Sequence, residues 1–193
     1  MPRGVYLLGS DDGGAVERFS CAAGAAGWRY AATSERGRVD VVVDTRWRQV
    51  RVELTGGGWT IRGGVAGREL LWVRSGGAEP VEHAATAVGF AGASPGLTVA
   101  IARTLALSAG SSADLRVVTV DPRTLATREV PQRWQLVSVT EQATETRPLP
   151  VERYAVTDLE TGETAQLHVA GDVVLDAPGI ALDELDGPPT LAT

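Results

Sequence analysis

Alternation of apolar and polar side chains runs through much of this chain. In Arg48-Gln49-Val50-Arg51-Val52-Glu53-Leu54 one face carries Val50, Val52 and Leu54 and the other carries Gln49, Arg51 and Glu53, which predicts a half-buried strand. Gly56-Gly57-Gly58 interrupts it and Trp59-Thr60-Ile61-Arg62 resumes, so the pair reads as a hairpin with a glycine turn. In Glu69 to Arg74, Leu70 and Trp72 oppose Leu71 and Val73; with both faces apolar, this strand is expected to be covered on two sides. Trp28 to Ala32 and Val39 to Val43 read as strands upstream. Leu115 to Val120, Trp134 to Thr140, Tyr154 to Leu159, Gln166 to Ala170 and Val173 to Leu175 follow downstream, separated by turn signals such as Asp121-Pro122 and Gly171-Asp172. About ten short strands at this spacing predict an all-β, mainly antiparallel fold, a sandwich or a barrel, with at most one or two short helices.

The helical candidate begins at Ser94-Pro95, where Ser suits the N-cap and Pro the first helical position; Leu97, Ile101 and Leu105 then make a stripe at i, i+4 and i+8. The β-branched Thr98, Val99, Ile101 and Thr104 equally suit a strand over about 99–107, so residues 95–107 stay open between the two. The Pro-rich stretch from Arg147 to Pro150 is a loop rather than a linker. Residues 1–186 therefore read as one β-rich domain, and 187–193, with Pro188-Pro189, as a tail expected to fray. Val16-Glu17-Arg18-Phe19 and Val151-Glu152-Arg153-Tyr154 echo each other over four residues, too few for a repeat.

Composition narrows the function classes. With 193 residues, 44% apolar and 22% charged, the chain can bury one full core. A net charge of −6 argues against a nucleic-acid surface, which needs a clustered positive field. All 18 basic residues are Arg and Asn is absent; A-rich codons encode both missing residues, so a GC-rich genome explains the bias without selection for guanidinium chemistry. The single Cys21 excludes an internal disulfide, a structural zinc site and a redox pair. The start has only the apolar run Val5 to Leu8 before Asp11-Asp12, too short for a secretory core, and the uncharged stretch from His83 to Ala102 is rich in Gly and small residues. A cytoplasmic location and no membrane-spanning segment are expected.

Catalytic signals are sparse. There are two histidines, His83 and His168, and neither sits in a metal-binding or nucleophile motif; no phosphate loop or dinucleotide fingerprint occurs. No enzyme, cofactor or metal is therefore expected. The unusual feature is five Trp beside two Phe and three Tyr. Trp28, Trp47, Trp59 and Trp72 fall in or beside successive predicted strands and would share one wall of a meander, a surface suited to sugar rings or lipid tails. Trp47 has the parity of the polar face of its strand, so it is either exposed or inside a polar-lined concavity.

Several segments, in order, carry a family resemblance: Gly27-Trp28 with Tyr30, Val43-Asp44 with Trp47, Gly89-Phe90 with Ser94-Pro95, Arg103 with Leu105-Ala106-Leu107, Tyr154, and Leu167-His168-Val169 followed by Gly171 and Asp176-Ala177-Pro178-Gly179. This pattern resembles the bacterial glycolipid-binding protein family, likened to carriers of outer-membrane lipoproteins. The resemblance implies a curved antiparallel sheet forming an incomplete barrel whose concave side holds a glycolipid or acyl chain. The expected site is Trp47, Trp59, Trp72 and Phe90 as apolar walls, Arg51 and Arg103 at the head group, and 84–96 as a yielding rim. The alternative is a protein-interaction or scaffold domain using a sheet edge or apolar patch, with a second copy of the chain as one partner.

Overall fold

A computed structural model describes residues 1–9, 14–77, 79–92, 94–144 and 148–191; Asp11-Asp12, Arg147 and the last two residues of the expected tail lie outside them. In chain order the elements are β1 (Arg3–Leu8), β2 (Ala15–Gly24), β3 (Gly27–Ser34), β4 (Gly37–Val43), β5 (Gln49–Gly56), β6 (Trp59–Ala66), β7 (Glu69–Ser75), β8 (Val81–Ala85) and β9 (Phe90–Gly92). The helix α1 (Pro95–Leu105) follows, and then β10 (Ser112–Val120), β11 (Thr127–Gln142), β12 (Leu149–Asp158), β13 (Thr164–Ala170), β14 (Val173–Ala177) and β15 (Ile180–Asp186). All the strands form one sheet in the order 8-7-6-5-4-3-2-1-15-14-13-12-11-10-9, antiparallel except where β9 runs parallel to β10. β8 and β9 are its two edges. The chain goes directly from one to the other through residues 86–89, whose Val88 N–H donates to the Arg116 carbonyl at 2.9 Å.

The sheet curls around α1 without closing into a barrel. The helix touches β4, β9 and β14, strands far apart in the sheet order, which requires the sheet to wrap it. Pro95, Gly96, Leu97, Val99, Ala100, Ile101 and Ala102 are all buried against the inward rows of the strands. Burial on nearly every side explains the ambiguity of 95–107: β-branched residues packed all round by apolar neighbours override a weak propensity. Ser94 does occupy the N-cap with Pro95 next, yet its hydroxyl makes no cap bond, because it is turned to the carboxylate of Glu17.

The expected glycine hairpin is present: Gly57 and Gly58, at φ of 57° and 81°, form the two-residue connection between β5 and β6, where both positions need left-handed backbone. Two readings of facing are overturned. Val43 pairs with Gln49 and Val42 with Arg51, so Val50 is bulged out of the ladder; the bulge reverses the parity, burying Gln49 and exposing Val50. In β7, Leu70 and Trp72 are buried while Leu71 and Val73 are 42% and 36% exposed, so the outer face of that strand is bare rather than covered. The segment expected to fray is held as far as Thr190: Pro189 is buried and the Thr190 N–H donates to the Asp172 carboxylate at 2.7 Å.

Candidate functional site

Three buried polar groups fix the helix and so shape everything around it. At its start, Glu17 on β2 accepts hydrogen bonds from the Tyr30 and Ser94 hydroxyls. Gly96 packs flat on the Tyr30 ring, where any Cβ would overlap it. At its end, Arg103 pairs with Glu152 on β12 at 2.7 Å and donates through Nε to the Gly171 carbonyl at 2.9 Å, while the Tyr154 hydroxyl donates to Glu152 at 3.2 Å. Across the open seam, the Gln49 amide accepts from the Phe90 N–H at 2.7 Å and donates to the Phe90 carbonyl at 2.9 Å. On edge strand β9 that side chain stands where the next strand's backbone would be. Gly89 is close-packed beneath it, since a Cβ there would meet the amide.

Burial raises the Glu17 carboxyl above its usual value near 4.5, against the lowering effect of its two hydroxyl donors. With the folded value above the unfolded one, the stability linked to this group is fully present below about pH 4.5 and is lost as pH rises through the folded value. Glu17→Gln keeps the acceptor and removes the ionisation, so its stability relative to the parent protein is expected to rise steadily above pH 4.5. Urea midpoints of both proteins between pH 4 and 8 measure this; a pH-independent difference would refute it.

One cavity lies at the edge of the helix packing. It is a groove of about 640 Å³ at the seam, lined by Val65, Gly67 and Arg68 of the β6–β7 hairpin, Thr86, Ala87 and Val88 of the link, Thr104 of α1, Arg48, Asp114, Leu115 and Arg116 of β10, Pro131 and Leu159. Its lining is mainly apolar, with Val65, Ala87, Val88, Leu115, Pro131 and Leu159. Arg48 is bound to Asp44 at 2.8 Å and Asp114 is gripped by Arg133 at 2.7 and 2.8 Å, which neutralises both. Arg68 and Arg116 are exposed and, among the described residues, make no ion pair and no side-chain hydrogen bond.

The six expected site residues do not come together. Trp47 sits in a turn after β4 rather than in a strand, with φ at 63°; its carbonyl accepts from Thr104 and its ring tilts against Trp28 at 5.3 Å beside a smaller cavity of about 270 Å³. Arg51 lies on the outer face against Asp40 at 3.5 Å. Trp59 is capped by the Arg74 guanidinium 3.5 Å from its ring centre. Trp72 is buried between His83, stacked at 5.0 Å, and the edge of Phe90, at 5.7 Å; its indole N–H is the buried side-chain group without a partner among the described residues. Phe90 and Arg103 are used by the packing. The concave side expected to hold a ligand is occupied by α1, whereas the expected rim at 84–96 does line the groove through Thr86, Ala87 and Val88. Arg68 and Arg116 escaped the sequence reading because the groove is assembled from segments distant in the chain. Glu17 had one signal: a carboxylate in the inward row Ala15, Glu17, Phe19, Cys21.

Among the described residues no helix is long and apolar enough to cross a membrane, and no cluster of three or more potential metal ligands occurs. No protein-family profile and no curated protein sequence matches the chain. Among solved structures it is similar to a DUF1089 family protein from Pseudomonas aeruginosa, with a TM-score of 0.56 and 19% identity over 90% of this chain and 88% of that one. The likeness is one of fold. It matches the expected antiparallel architecture and indicates no glycolipid-binding family.

Proposed function

We propose that this protein binds an amphiphile, a glycolipid or another single-chain lipid, without catalysis, with the apolar tail in the groove at the seam. The observation that carries this reading is a groove of about 640 Å³ with a mainly apolar lining that includes Arg48, Arg68 and Arg116, a volume in the range of small-molecule sites. At about 30 Å³ per water-sized group, it accepts on the order of 20 heavy atoms, the size of one acyl chain with its head. Binding of monoacylglycerols by calorimetry should tighten about four-fold per added methylene up to the length of the groove. Thr86→Trp, at an exposed position in the lining, should weaken binding at least ten-fold without loss of stability. Affinity independent of chain length, or unchanged in Thr86→Trp, rejects the reading.

The protein-interaction reading rests on a separate observation. Edge strand β8 is unpaired on one side, and Val81 on it, Leu71 and Val73 on the adjacent β7 and Val50 on β5 are exposed. Sedimentation velocity of the ligand-free protein discriminates: a concentration-dependent shift favours this reading, and a strict monomer removes its self-association form.

A further inference from the structure

We infer that the ligand of the groove is an anionic single-chain amphiphile, a long-chain carboxylate, held at its head by Arg68 and Arg116. This inference rests on the lipid-binding reading above and names the head group. Three arginines are among the residues lining one mainly apolar groove in a chain whose net charge is −6. The only carboxylate in the lining, Asp114, has both oxygens engaged by Arg133, and Arg48 is satisfied by Asp44. Two cations are left over. Arg68 joins the groove lining from the β6–β7 hairpin and Arg116 from β10. Several surface arginines are answered by carboxylates across the strands, as in Arg29 with Asp40, Arg62 with Glu53 and Arg128 with Glu160, whereas Arg18, Arg38 and Arg153, outside the groove lining, make no ion pair among the described residues. What sets Arg68 and Arg116 apart is that they share the lining of one mainly apolar groove, where the negative charge of a ligand would complement them.

Arginine suits a carboxylate because its planar donors match the two oxygens, and partial desolvation beside a mainly apolar lining strengthens the pair. A phosphate ester offers the same chemistry. A carboxylate is preferred because the groove takes about one acyl chain with its head, and a carboxylate is the more compact of the two anionic heads.

The test compares dodecanoate with monododecanoylglycerol, its uncharged ester with glycerol, by calorimetry on the full chain at low salt. Dodecanoate should bind at least ten-fold tighter, and its affinity should fall with added salt. Arg68→Gln and Arg116→Gln should each cost dodecanoate five-fold or more and leave the ester unchanged, while Arg46→Gln, an exposed arginine outside the groove lining, should change neither. Equal affinity for the two ligands, or no effect of the Arg68 and Arg116 variants, overturns the head-group inference and leaves the groove reading standing. Dodecyl phosphate binding ten-fold more tightly than dodecanoate also overturns it, in favour of a phosphate head. If neither dodecanoate nor the ester binds, the groove reading itself fails.

Discussion

Replacing Gln49 with Leu should lower the unfolding free energy by about 3 kcal/mol, because it strands the N–H and carbonyl of Phe90 inside the protein with about 1–3 kcal/mol for each unpaired group. The side chain is 1% exposed, so water cannot take its place. Leu is no smaller than Gln, so the substitution opens no cavity and the lost hydrogen bonds dominate the effect. The consequence reaches beyond the residue itself. Gln49 ties β5 to the edge strand β9 across the open seam, and Phe90 packs edge-on against Trp72 of β7. Loss of the tie should therefore speed amide exchange at Phe90 and along β9 by the same free energy if β9 opens as a unit. Gln49→Glu should be worse than Leu, since a carboxylate accepts from the Phe90 N–H but cannot donate to its carbonyl and carries a charge into the core. A denaturation midpoint within error of the parent, with exchange at Phe90 unchanged, would show that the seam is held by packing alone.

Local signals made the antiparallel architecture readable. Period-two runs and glycine turns act over a few residues, and the β5–β6 hairpin and most central strands follow directly from them. β1, β2, β8, β9 and β15 were not legible: β9 is three residues long, and the small residues of β2 and the tail blur the alternation. The facing of Gln49 and Val50 was misread, while that of Arg51 to Leu54 holds, because a bulge depends on the partner strand, whose register no stretch of one strand encodes. Tryptophan was a misleading guide to the site. A large flat side chain is as useful for filling a curled sheet as for gripping a ligand, and Trp28 and Trp134 are buried with their N–H groups satisfied by Asp172 and Gln132.

The residues behind the family resemblance turn out to be the ones that hold the helix in the sheet. Trp28 bonds Asp172, Tyr30 and Ser94 meet at Glu17, Gly89 lies under the Gln49 amide, and Arg103 and Tyr154 meet at Glu152. The two four-residue echoes have a use here. Val16-Glu17-Arg18-Phe19 and Val151-Glu152-Arg153-Tyr154 each turn a glutamate inward, and these two carboxylates take opposite ends of α1, Glu17 at Ser94 and Glu152 at Arg103. A motif that secures a fold says little about a ligand. The groove, by contrast, is lined by segments that contributed nothing to the resemblance, such as the β6–β7 hairpin and the start of β10.

The second large effect is expected at the helix end that borders the groove. Arg103→Met should cost about 2–3 kcal/mol by leaving Glu152 without its cation, near the lower end of the range for a broken buried pair because the two side chains keep 11% and 20% of their exposure. Glu152→Gln should cost slightly less, since Gln can still accept from the Arg103 guanidinium and the Tyr154 hydroxyl. Arg103→Met combined with Glu152→Leu should recover most of the loss, because removing both charges removes the desolvation penalty along with the attraction. Urea denaturation of the four proteins closes the double-mutant cycle, and a coupling energy under about 0.5 kcal/mol would demote the pair to a surface contact. Ligand binding gives the same cycle a second readout. Thr104, the neighbour of Arg103, lines the groove and bonds the Trp47 carbonyl at 2.7 Å, so a loosened helix end widens the groove. Single variants should therefore bind a monoacylglycerol more weakly than the parent, and the double variant should bind it nearly as well, since rigidity of the helix end rather than the charge of Arg103 is what the tail requires.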